Sequence, residues 1–139
     1  MIRAATLDDI PALAEMGQRF ANRARLTDHV GYDPASMAVT FAALIENDAN
    51  ALFIGESGAI GGVTAPHPFN HAHYVAHEMF WWSEGREGLQ LLDAFEVWAR
   101  ERCHSIGMIT LEAVNADRME RFYIRSGFVP LERSFIKVF

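Results

Sequence analysis

Apolar positions along the chain alternate between helical and strand-like spacing. Ile2 to Ala5 is a short strand candidate, and Thr6 follows as an N-cap with Asp9 three positions on as a short capping box. Ile10, Leu13, Ala14, Gly17, Ala21 and Ala24 predict a helix over roughly residues 8–24, with Pro11 placed in its first turn. Asp33-Pro34 repeats the cap-then-proline start, and Met37, Phe41, Leu44 and Ile45 form the stripe of a helix that frays near Asn47. Runs 51–55 and 59–64 flank Glu56-Ser57-Gly58, a hairpin signature. Residues 73–82 predict a longer strand, with Tyr74, Ala76, Glu78, Phe80 and Trp82 on one face and His73, Val75, His77, Met79 and Trp81 on the other. Residues 83–88 break it, and Leu91, Leu92, Phe95, Trp98, Ala99 and Arg102 mark an amphipathic helix starting near Leu89. The stretch 106–114 is apolar on both faces, the pattern of a central strand. Asp117 is expected to cap a helix carrying Met119, Phe122, Tyr123 and Ser126, with Gly127 as its stop, and strands 128–130 and 134–138 are expected to close the sheet.

This order predicts one α/β (α+β) domain over residues 1–139. Its mixed antiparallel and parallel sheet has helices on both faces, and its late β-α-β passages are right-handed. Half of the 139 residues are apolar, which excludes an intrinsically disordered chain. Twelve basic residues against 18 acidic ones give a net charge of −6, so no nucleic-acid partner is expected. The single cysteine, Cys103, allows no internal disulfide and fits a reducing compartment. No apolar run has the length of a signal peptide or a membrane span, so a cytoplasmic protein with no membrane partner is expected.

Candidate chemistry concentrates after the long strand. Gly85 and Gly88 lie between it and a helix whose first N–H groups have no internal partner. With Arg86 nearby, that is either a phosphate cradle or a tight strand-to-helix turn. Glu78 lies among aromatic residues, where a carboxylate is pushed towards the neutral range a general base needs; an exposed glutamate paired with a cation is the ordinary alternative. His67, His71, His73 and His77 crowd one segment. His73 and His77 are about 13 Å apart by strand rise, so no metal site is expected, although either remains a reserve base. Tyr123 reads as a helix residue packing its ring.

Three passages resemble the GNAT superfamily of acyl-CoA-dependent N-acyltransferases, and the similarity runs from Ile2 to Phe139. Residues 80–92, Phe-Trp-Trp-Ser-Glu-Gly-Arg-Glu-Gly-Leu-Gln-Leu-Leu, look like the family's fourth strand, pyrophosphate loop and third helix. Residues 109–115, Ile-Thr-Leu-Glu-Ala-Val-Asn, look like its fifth strand with terminal asparagine. Residues 122–128, Phe-Tyr-Ile-Arg-Ser-Gly-Phe, resemble its fourth helix, which ends in tyrosine, three residues, then Gly-Phe. The loop is shorter than the family's, only one glycine follows Arg86, and Glu87 brings a negative charge into it.

The resemblance implies a sheet splayed between strands 73–82 and 106–114. Acetyl-CoA would lie with its pantetheine arm along Phe80, Trp81 and Trp82. Its pyrophosphate would sit on Gly85, Arg86, Glu87, Gly88 and Leu89, with Asn115 also near the cofactor. Glu78, directly or through water, would act as base and Tyr123 as the acid that protonates the thiolate. An amine, small molecule or peptide, would attack the thioester directly, and residues 20–36 and 65–73 would line its entrance. The competing reading is a non-catalytic acyl-CoA-binding or interaction module. A homodimer is expected through the C-terminal strands, where Phe135, Ile136, Val138 and Phe139 form an apolar edge.

Overall fold

The computed structural model describes residues 1–139. A short strand β1 (Arg3–Ala4) leads into α1 (Ile10–Arg23) and α2 (Pro34–Glu46), then the antiparallel strands β2 (Asn50–Ile54), β3 (Gly58–His67) and β4 (Asn70–Ser83). Helix α3 (Gly88–Arg100) crosses to β5 (Ser105–Gly107), and α4 (Ala116–Arg125) follows. The sheet order is β1-β2-β3-β4-β5, antiparallel except for the parallel β4–β5 pair. This is the mixed α/β sheet expected, with helices on both faces. No helix is long and apolar enough to cross a membrane.

Local chemistry explains the helix starts. The Thr6 N–H donates to Asp9 Oδ2 at 2.8 Å, and Arg3 grips the same carboxylate, tying β1 to the entry of α1. Asp33 accepts from the N–H groups of Ala35 and Ser36, two donors in the first turn of α2 that lack a partner within the helix, and Pro34 removes a third.

Two cores sandwich the sheet. On one side Leu13, Phe20, Phe41 and Leu44 from α1 and α2 meet Phe80 and Trp82. On the other Leu91, Phe95 and Trp98 from α3 pack on Ile60 and Ala76. Phe95 is wholly buried, so its truncation to alanine is expected to cost about 3–5 kcal/mol. Ala76 and Phe80 share strand parity yet join opposite cores. A bulge causes this: Gly61 pairs with Phe80 and Gly62 with Glu78, leaving Met79 without a partner. Gly62 admits no side chain, because one would collide with the His77 carbonyl and the Phe95 ring.

The last third departs from expectation. Residues 65–73 belong to a long β3–β4 hairpin, so β4 begins earlier than residue 73. The strand expected over 106–114 spans only 105–107 and lies at the sheet edge. Pairing with β4 ends at His77 and Gly107, and no later strand supports the other side of residues 108–114. The strands expected at 128–130 and 134–138 do not form. Pro130 lacks a ladder donor, and the tail exposes Val129, Leu131, Phe135 and Phe139.

The cap of α4 is Asn115, in the left-handed conformation (φ 47°) that asparagine tolerates, while Asp117 lies in the first turn. At its other end Gly127 takes φ +92°, its N–H reaching the Ile124 carbonyl at 3.2 Å. The Phe128 N–H reaches the Tyr123 carbonyl at 2.9 Å, and the two rings touch at 5.3 Å. This Schellman closure gives the Tyr-x-x-x-Gly-Phe spacing a structural cause.

Candidate active site

Where β4 and β5 part beyond His77 and Gly107, a cavity of about 560 Å³ opens. Its floor is Glu78 and Phe80 to Ser83 of β4, its far wall residues 109–111, and its roof α1 and the segment before α2. Tyr123 enters from α4. Splay, not a gap between helices, makes the space: β4 keeps its outer edge free just where its side chains turn aromatic.

Glu78 is 7% exposed, and its Oε2 has no hydrogen-bond partner. Burial pushes its carboxyl up to about 8, because the charged form loses hydration; the backbone N–H of Ile109 pulls weakly the other way. The Tyr123 O–H donates to the Ile109 carbonyl at 3.1 Å. Burial, and then the Glu78 charge, raise its phenol above the usual range and hold it protonated. One peptide residue, Ile109, therefore addresses both side chains. Two further buried polar atoms are orphaned, Trp82 Nε1 and Ser83 Oγ, and both residues line this cavity. Native proteins rarely leave such atoms unpaired, so three of them on residues of one cavity wall make this the part of the molecule where the protein satisfies its own polar groups least.

The loop after β4 is held from three directions. The Glu84 N–H donates to the Ser57 carbonyl at 2.8 Å, and its carboxylate takes a two-pronged grip from Arg19 at 2.9–3.1 Å. The Glu87 carboxylate accepts from the N–H groups of Glu56 (3.1 Å) and Ser57 (3.0 Å) in the β2–β3 turn. These bonds hold Glu87 below the usual carboxylate range. The charge that the sequence placed in the phosphate loop is thus spent on the neighbouring hairpin. Gly85 packs against the Ser57 hydroxyl, which would have to turn away to admit a side chain there. The first bond of α3 runs from the Leu91 N–H to the Glu87 carbonyl at 2.9 Å, so the donors before Leu91 have no partner in the helix. Arg86 is exposed and makes no ion pair. This is a positive, anion-ready helix end.

Trp81 is half-buried; its Nε1 donates to the Gly88 carbonyl at 3.2 Å, and its ring lies 6.3 Å from those of Phe122 and Tyr123. Phe80 and Trp82 stack at 4.5 Å. Leu89 is exposed on the first turn of α3, and Asn115 is exposed outside the cavity wall. Among the histidines, His73 Nε2 meets Ser105 Oγ at 2.8 Å and His104 Nδ1 accepts from the Tyr74 N–H at 3.0 Å. No three His, Cys, Asp or Glu side chains come together as a metal site would need.

Sequence reasoning placed residues 20–36 at the entrance, which takes in Phe20 and Tyr32 of the roof, but missed the Ile109 backbone, the Arg19–Glu84 tie and the part played by Gly17. One signal for the roof was available. Gly17 interrupts the apolar stripe of α1, where a glycine costs stability unless something approaches closely. A Cβ there would lie 3.0 Å from Tyr32 Oη and 3.4 Å from the Trp82 ring. Of the two segments expected at the acceptor entrance, residues 20–36 line the cavity and 65–73 do not.

The chain matches no protein-family model and no curated protein. Its architecture is shared with solved acetyltransferases. A predicted acetyltransferase of Clostridium acetobutylicum, solved with acetyl-CoA, superposes with TM-score 0.75 at 16% identity, covering 99% of this chain and 94% of that one. Glucosamine-6-phosphate N-acetyltransferase of Arabidopsis thaliana gives TM-score 0.70 at 12% identity, covering 100% and 97%. A transcriptional regulator of Bacillus halodurans gives 0.73 at 23% identity, covering 100% and 99%. At such identities the likeness establishes the fold: this is the GNAT fold that Tyr123-x-x-x-Gly127-Phe128 and its neighbouring passages resemble.

Proposed function

We propose that the protein is an N-acetyltransferase that moves an acetyl group from acetyl-CoA to a primary amine. The observation that carries this reading is a buried Glu78, one carboxylate oxygen unpartnered, lining the same cavity as a protonated Tyr123 at the splay of a GNAT-like sheet. The pantetheine arm would lie along the free edge of β4 at Phe80 to Trp82. The pyrophosphate would meet Gly85, Arg86, Gly88 and the first turn of α3. The amine nitrogen forms a C–N bond to the thioester carbon, and the C–S bond breaks. The ammonium first sheds one proton to solvent through Glu78, leaving the free amine; as that amine attacks, its second proton passes to Glu78 and the thiolate takes the proton of Tyr123, and solvent then restores both groups. A carboxyl titrating near 8 is well matched to accept that proton, and a phenol is protonated throughout the working range.

The test is thiol release from acetyl-CoA on adding amines, with a product heavier by one acetyl group. Arg86→Ala is expected to weaken acetyl-CoA binding roughly 10–100-fold through loss of a charged hydrogen bond. Absence of both binding and turnover at millimolar acetyl-CoA would sink the proposal. The second reading, a non-catalytic acyl-CoA-binding module, draws on the Tyr123 O–H being engaged by Ile109 and on the regulator that shares this fold. Binding without turnover of any amine would favour it.

The same reading includes a cytoplasmic homodimer. The apolar tail around Phe135, Ile136, Val138 and Phe139 is exposed, and the outer edge of β5 has no partner. Together they suit strand pairing with a second copy. A sedimentation mass of one 15.6 kDa chain at high concentration would exclude the dimer.

A further inference from the structure

We infer that the acceptor is a monoamine with an apolar, ring-sized body, not a polyamine, an amino sugar phosphate or a lysine side chain in a polar peptide. The inference rests on the transferase reading of the cavity and names the substrate class for it. The amine end is fixed by Glu78, the one acid on the cavity wall. A primary amine is an ammonium at neutral pH, as lysine is with its ordinary value near 10.4. Its charge is tolerable in a buried site only against an ionised carboxylate, and Glu78 can pair with one such charge.

The rest of the space suits a hydrocarbon. Phe20, Leu26 and Met37 roof it, and Phe80 and Trp82 floor it. Tyr32 adds a ring pinned by its O–H to the Ala14 carbonyl at 2.7 Å, so its polar end is already occupied. Gly17 lets the Tyr32 and Trp82 side chains close in on α1, at 3.0 Å and 3.4 Å from where a Cβ would stand, so this part of the wall is made of ring surface. A second ammonium would find no second acid. It would instead meet Arg23, the one basic residue on the wall, whose guanidinium lies 5.7 Å from the Phe20 ring centre. The hydroxyls of a sugar would lose water and find few side-chain partners on a mostly apolar wall, chiefly the hydroxyls of Thr40 and Thr110, since the Tyr123 O–H already donates to Ile109.

The experiment compares 2-phenylethylamine, hexylamine, spermidine, glucosamine 6-phosphate and a lysine-containing polar peptide as acceptors with acetyl-CoA. We expect kcat/KM for 2-phenylethylamine to exceed that for spermidine on the order of 10²-fold or more. Preference for spermidine, the sugar phosphate or the peptide overturns the inference while leaving the transferase reading intact. If no amine is turned over, that reading fails, and calorimetric titration of 2-phenylethylamine and spermidine at pH 8 decides the cavity's preference separately. Tighter binding of 2-phenylethylamine supports the inference; equal binding, weaker binding or none overturns it. Val30→Glu provides a second check, because Val30 is 69% exposed on the cavity rim and the change leaves the core alone. The added acid is expected to narrow the ratio of 2-phenylethylamine to spermidine, in kcat/KM or in affinity, about tenfold. An unchanged ratio counts against a charge-limited acceptor pocket.

Discussion

Glu78 on the bulge of β4 is buried with one carboxylate oxygen unpartnered, whereas Glu87 ahead of α3 accepts N–H bonds from Glu56 and Ser57. The same side chain is driven in opposite directions. Burial lifts Glu78 to about 8, and satisfied hydrogen bonds hold Glu87 below its ordinary value. A carboxylate given several donors at the surface becomes a structural tie; one buried with a single backbone donor is left with proton affinity to spare. The two lie at either end of the segment that would carry acetyl-CoA. One end of the cleft therefore holds a carboxyl with a raised proton affinity, and the other is braced by hydrogen bonds.

The largest effect should come from breaking the Glu78 end. Glu78→Gln keeps the shape and removes the base, so turnover is expected to fall about 10²–10⁴-fold, measured by thiol release with fold checked by circular dichroism. Full activity in this variant would make Glu78 a buried bystander. Tyr123→Phe removes only the O–H and is expected to lower kcat by up to a similar factor with little change in amine KM. If melting temperature drops sharply while kcat holds, the bond to Ile109 is the main use of that O–H.

Stability should separate the two glutamates by sign. Glu78 has a folded value above its ordinary 4.5, so the folded protein binds the extra proton between about 4.5 and 8. The stability it allows is full below 4.5 and is lost as pH rises through about 8. Melting of the wild type should fall between pH 5 and 9, and Glu78→Gln should flatten that slope. Glu87 has a depressed folded value, so its contribution is present above its ordinary range and lost as pH falls through the folded one. Glu87→Gln is expected to lower the melting temperature by a few degrees at pH 7, with the gap closing in acid. A gap that widens in acid would contradict the assigned hydrogen bonds.

Much of the architecture was legible because it depends on local spacing. The stripes of α1, α2 and α3, the Glu56-Ser57-Gly58 turn and the Gly127 stop all follow from periodicity and caps. The candidate site was legible at Glu78 and Tyr123, whose burial follows from apolar neighbours one or two positions away. What was not legible depends on partners distant in sequence. The Met79 bulge, set by pairing with Gly61 and Gly62, moves Phe80 and Trp82 to the core opposite Ala76, which alternation alone places beside them. Residues 108–114 carry a central-strand pattern but find no strand beside them. The charge of Glu87 looked hostile to phosphate because its N–H donors come from a turn thirty residues earlier in the chain.

The most direct measurement is the pH dependence of kcat/KM from pH 6 to 9.5 for the wild type and Glu78→Gln, with saturating acetyl-CoA and one acceptor amine. The account predicts a limb rising with pH and bending near 8 in the wild type, as the free carboxyl ionises, and no such bend in the glutamine variant. The same bend in both proteins would assign it to the amine or another group and contradict Glu78 as the base.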